Sequence, residues 1–119
     1  MEKTAPQVAN FEAIFATHID VSRHMGNKPI NSTGLERMLE FCKYVFQSEE
    51  QHVIVGGHSL WFKSFFVNFL PFQVEHVSKK KKIINGGVVA FDLMQASTPQ
   101  YGDKYMIDPK SIRVVYGGF

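Results

Sequence analysis

The chain has 119 residues, of which 45% are hydrophobic and 13% aromatic, with a formal net charge of +2 and one cysteine. Apolar content at this level supplies a packed core and excludes a wholly disordered chain, and the length suits one domain or part of one. The mild charge makes no general case for nucleic acid. A lone cysteine excludes an internal disulfide framework and suits a reducing compartment, and no apolar run reaches the roughly 20 residues of a membrane span. The opening MEKTAPQVAN lacks the basic and then apolar layout of a secretory signal, so a soluble cytoplasmic protein is expected.

Residues 1–32 read as an N-terminal extension and loop. After a polar start, Phe11, Ile14, Phe15, His18 and Ile19 follow helical spacing. Residues 20–32 are rich in Gly, Pro, Asn and Ser and predict a loop. From residue 33 the pattern is that of a domain. Thr33 and Glu36 have the spacing of a capping box, in which hydroxyl and carboxylate satisfy free backbone N–H groups reciprocally. Leu35, Met38, Leu39, Cys42 and Phe46 then recur on one helix face. Cys42 lies on that face, which makes it a small core residue in preference to a nucleophile.

Residues 53–71, VIVGGHSLWFKSFFVNFLP, form the most informative stretch. Val53, Ile54 and Val55 predict a short buried strand. Gly56 and Gly57 predict a sharp turn that carries His58 at the strand end. Ser59 is expected to cap the helix that follows. That helix is apolar from residue 60 to 70 except for Lys63, Ser64 and Asn68, so it is expected to be buried over most of its circumference. A helix start aims backbone N–H groups and a positive dipole end at whatever lies there, which suits an anion. On the residues alone, His58 reads equally as an anion contact or as a histidine satisfying a local hydrogen bond.

After Pro71, residues 79–82 (KKKK) predict a solvated connection. Asn85, Gly86 and Gly87 predict a turn. Residues 88–93 predict a largely buried strand, residues 95–108 a polar loop, and residues 112–116 a last strand. The expected order is helix, strand, helix, strand, strand. This makes an α/β fold, a partial three-layer α/β/α sandwich with a mixed sheet and flanking helices. Three strands are few for a sheet covered on both faces, so the chain reads as part of a larger layered domain.

At His58 the stretch resembles the second-histidine segment of the histidine phosphatase superfamily, the phosphoglycerate mutase-like proteins. INGGVVAFDL (residues 84–93) is similar to that family's strand after an Asn-Gly turn, and SIRVVYGGF (residues 111–119) to a closing strand. The resemblance covers roughly residues 30–119, the C-terminal part of such a domain. It implies a phosphate site in which a first histidine, within Arg-His-Gly, attacks phosphorus, arginines hold the oxygens and an acidic group protonates the leaving group. Only the second histidine, which contacts the phosphoryl group, has a matching position, His58, with the Ser59 N–H as a further phosphate donor. Many family members carry Gly after this histidine, where this chain has Ser59. Arg23-His24-Met25-Gly26 interrupts the nucleophile motif and stands too close to His58, so no nucleophile role passes to His24 and no arginine role to Arg23 or Arg37. The resemblance therefore implies a fragment or truncated relative that is inactive alone, with no cofactor. Its partner, if the domain is complete, would be a phosphorylated small molecule or phosphoprotein.

Other classes rest on less. His18, His24, His52, His58 and His76 share no metal-ligand spacing. Nucleic-acid binding would rest on residues 79–82 alone. A non-catalytic interaction domain, self-associating through an exposed sheet edge, is the alternative reading.

Overall fold

The structure, a computed structural model, describes Ile19, Ser22 and residues 34–119. The helix expected over residues 11–19, the loop over 20–32 and the Thr33 cap therefore lie outside the described residues, apart from Ile19, which has no regular structure, and Ser22 in a turn. The chain divides into two units, Met1–Ser32 and Thr33–Phe119, and all described helices and strands belong to the second. That unit is mixed α/β. Helices α1 (Leu35–Gln47) and α2 (Ser59–Phe69) come first. Strands β1 (Val88–Ala90), β2 (Leu93–Thr98), β3 (Gly102–Ile107) and β4 (Arg113–Tyr116) follow, with 3-10 turns at Val77–Lys79 and Pro109–Ser111.

α1 forms where its periodicity places it. Its N-cap is Gly34, in the left-handed region at φ 84°, and glycine has no side chain with which to cap. The buried stripe is narrow. Met38 and Cys42 are enclosed, whereas Leu35, Leu39 and Phe46 are each well exposed. α2 opposes it with Phe65, Phe66 and Phe69, followed by its C-cap Leu70, and Ile107 of β3 completes the enclosed cluster. Aromatic rings extend this core. Phe41 meets Trp61 edge-on at 5.4 Å, Trp61 stacks on Phe65 at 5.2 Å, and Phe66 meets Phe91 at 5.2 Å. Such pairs add roughly 0.5–1.5 kcal/mol each beyond the area they bury. α2 is less enclosed than its apolar sequence implies, because Leu60 and Val67 face solvent.

The strands depart from expectation in three ways. Residues 53–55 form no strand. The segment is irregular and exposed, with Ile54 101% accessible. A β-branched run needs a neighbouring strand to take its hydrogen bonds, and none pairs with it among the described residues. Second, residues 95–108 are not a loop. They supply most of the β2–β3 antiparallel hairpin, registered from Leu93 opposite Ile107 to Thr98 opposite Gly102. Its strands are exposed along most of their length, so they lack the apolar alternation that marks a half-buried strand. Third, the stretch 88–93 divides between β1 and β2, and β1 pairs antiparallel with β4. The described strands thus make two antiparallel pairs, with no parallel neighbour among them.

The turn at residues 85–86 forms as expected. A close approach lies beside it. The Ile84 amide donates to the Gly118 carbonyl at 2.8 Å. A Cβ at Gly117, where φ is +78°, would lie 2.8 Å from Ile84 Cδ1. Only glycine admits both the backbone angle and the neighbour, so the C-terminal strand stays clamped to residues 84–87.

Cys42 is fully enclosed, and burial pushes its thiol up to about 11. The folded state therefore holds the thiol proton more tightly than the unfolded chain. This stabilisation is complete below the ordinary thiol range and is lost as pH rises toward 11. At pH 8 iodoacetamide is expected to leave native Cys42 unmodified and to alkylate it in urea. Equal rates in the two states would contradict the burial.

Candidate functional site

The two residues singled out in the sequence occupy the start of α2, with their roles exchanged. His58, not Ser59, is the N-cap, with φ −89° and ψ 144°, and its side chain makes no capping bond. Ser59 is the first helical residue. The His58 carbonyl accepts the Phe62 amide at 3.1 Å, which closes the first helical turn. The His58 ring is exposed. Neither Gly56 nor Gly57 adopts positive φ, so no tight turn presents the histidine. A Cβ at Gly57 would lie 3.3 Å from the Phe62 ring, which makes that glycine a packing position.

A cavity of about 510 Å³ adjoins this helix start. Ser59 and Lys63 line it from α2. One turn of helix separates them, so they lie on the same face. Lys80, Lys81 and Lys82 line it from the segment after the first 3-10 turn. Ile83, Ile84, Asn85 and Phe119 also line it, and among the described residues no acidic side chain takes part. His58 is not one of the lining residues, although its Cα stands only about 3.8 Å from that of Ser59. The structure therefore brings Ser59 into a basic cavity and leaves His58 beside it.

The backbone that carries the lysines is held from both ends. The amides of Lys80 and Lys81 donate to the Val77 carbonyl at 2.9 and 2.8 Å. His76 caps this turn through Nδ1, which accepts the Ser78 amide at 3.0 Å. That bond, together with ring contact to Phe119 at 6.0 Å, accounts for His76 as a structural residue. At the far end, the Ile84 bond to Gly118 anchors the segment to the C-terminal strand.

Lys79 differs from the three lysines that follow. Its ammonium donates to the carbonyls of Pro71, Phe72 and Val74 at 2.9, 3.3 and 2.7 Å. Three donors meet three acceptors, so this cation is saturated by the backbone leaving α2 and is withdrawn from ligand binding. The KKKK run is therefore one structural lysine followed by three cavity lysines. Sequence reasoning read all four as solvated. The available signals were the Ser59–Lys63 spacing on one helix face and a lysine run placed just before an Asn-Gly turn.

Arg37 and Arg113 lie on α1 and β4 and do not line the cavity. Among the described residues no group of three or more His, Cys, Asp or Glu side chains is placed to hold a metal ion, and no helix is long and apolar enough to cross a membrane. No family model, curated protein or solved structure matches the chain.

Proposed function

We propose that the unit Thr33–Phe119 binds a phosphoryl anion at the start of α2, as the C-terminal part of a phosphoglycerate mutase-like, three-layer α/β/α domain. The observation that carries the binding reading is the cavity itself. Lys63, Lys80, Lys81 and Lys82 line one open depression, and no carboxylate stands among its described lining residues. Like charges held around one space repel, and a bound anion converts that repulsion into attraction. The first amides of α2 lack intrahelical partners and add donors of the right sign. Phosphate oxygens accept from ammonium groups in bonds roughly twice as strong as neutral ones.

In this reading Ser59 and the lysines hold the anion, and His58 contacts a phosphoryl group from the side. The larger domain would supply what phosphoryl transfer further requires, a nucleophile and a set of arginines, since none of the described lining residues fills those roles. The ligand would be a phosphorylated small molecule or a phosphoprotein. The layered-domain part of the proposal is supported by residues 53–55, an exposed, β-branched apolar segment that pairs with no strand among the described residues.

The test is stabilisation by ligand. Inorganic phosphate at ten times its dissociation constant should stabilise the chain by about 1.4 kcal/mol. Lys63→Gln and His58→Ala should each weaken that phosphate affinity several-fold. A wild-type chain that melts identically with and without saturating phosphate overturns the reading.

A second reading is favoured by one observation, the complete exposure of Ile54 between exposed Val53 and Val55. An unpaired β-branched segment is a template for adding a strand from another chain. Here the unit is a non-catalytic domain that self-associates through this segment. Sedimentation should then show concentration-dependent association that Ile54→Asp abolishes. A monomer at all concentrations counts against it.

A further inference from the structure

The cavity is larger and more varied than a bare phosphate requires. It is an open depression of about 510 Å³, more space than one phosphate fills. Its walls differ in chemistry. Ser59 and the four lysines supply donors, whereas Ile83, Ile84 and Phe119 supply hydrocarbon and one aromatic ring. Ile84 is 49% exposed although it is a large apolar residue in a loop. It rests against Gly117 and Gly87, and its amide is bonded to Gly118. Phe119 is held by ring contacts with Phe66 at 6.3 Å and His76 at 6.0 Å. Apolar side chains that share one depression with a cluster of cations are the lining that an amphipathic anion needs.

We infer that the cavity takes a phosphorylated organic molecule bearing an apolar or aromatic group. Its phosphoryl end lies against Ser59 and the lysines, and its apolar end against Ile84 and Phe119. This rests on the phosphate-binding reading and narrows it to a ligand class. The cations supply affinity for the charge, and removal of hydrocarbon from water supplies the preference for one phosphate over another. Asn85, with an amide that both donates and accepts, stands among the lining residues as a contact for a polar substituent.

The probes are phenyl phosphate, inorganic phosphate and benzyl alcohol, titrated into the full 119-residue chain at pH 8, where both phosphates are largely dianionic. Trp61, the single tryptophan, lies two residues from Ser59 and reports binding by fluorescence, with calorimetry as a check. Phenyl phosphate should bind about tenfold more tightly than inorganic phosphate, a difference of about 1.4 kcal/mol, and benzyl alcohol should bind far more weakly than either. Ile84→Ser should bring phenyl phosphate to the affinity of inorganic phosphate. Lys81→Gln, at an exposed position, should weaken both phosphates and leave their ratio near ten. Because Ile84 packs on two glycines, circular dichroism of that variant separates lost folding from lost selectivity, and the wild-type ratio alone is decisive if the variant does not fold. Equal affinities for the two phosphates overturn the ligand class while leaving phosphate binding intact. Benzyl alcohol binding as tightly as phenyl phosphate also overturns it. Binding of neither phosphate removes the phosphate reading together with this one.

Discussion

Phe65 and Phe66 stand next to each other on α2, and between them their rings reach the elements that pack there. Phe65 meets Phe41 of α1 at 5.9 Å and Phe69 of its own helix at 4.5 Å. Phe66 meets Phe91 between β1 and β2 at 5.2 Å and Phe119 beyond β4 at 6.3 Å. Enclosing such a ring contributes roughly 1.5–3 kcal/mol. The consequence for function is positional. α2 cannot rotate without withdrawing both rings, so Ser59 and Lys63 are fixed on the face that borders the basic cavity. The same contact with Phe119 holds the opposite wall. The core and the cavity are two sides of one packing arrangement.

The lysines show how one run of identical residues divides between a lysine bonded to backbone and three that line the depression. Lys79 spends its charge on three carbonyls that the chain exposes as it leaves α2. Such carbonyls are costly to leave unpaired where they are partly buried. With that lysine committed, the next three are presented in sequence by a 3-10 turn whose amides are themselves bonded. The cation cluster is therefore built on ordered backbone, and a ligand need not order that backbone when it binds.

Some of this was legible in the residues. The helical spacing of Met38 and Cys42 placed α1 and its buried face, and the Phe-rich run placed α2 to within a residue. The Asn-Gly pair placed the turn before β1. Other features were hidden for identifiable reasons. Residues 53–55 carry strand-forming side chains, but a strand exists only where a neighbour takes its hydrogen bonds. The β2–β3 hairpin is mostly exposed, so its polar residues read as loop although register and backbone pairing make it regular. Ser59 looked like a cap because serine favours that position, yet the helix begins one residue earlier than that assignment requires, and His58 takes the cap. The cavity depends on segments separated by seventeen positions or more being brought together by the core, and local patterning carries no record of that.

The account stands or falls on whether an anion binds between the first turn of α2 and the lysine segment. The most direct measurement is an amide NMR titration of the full chain with inorganic phosphate. Saturable shifts concentrated at Ser59, Lys63 and residues 80–85, with α1 and the β2–β3 hairpin unmoved, are the expected result. Shifts that do not saturate, or that spread evenly over all the surface lysines including Lys104 and Lys110, would contradict it.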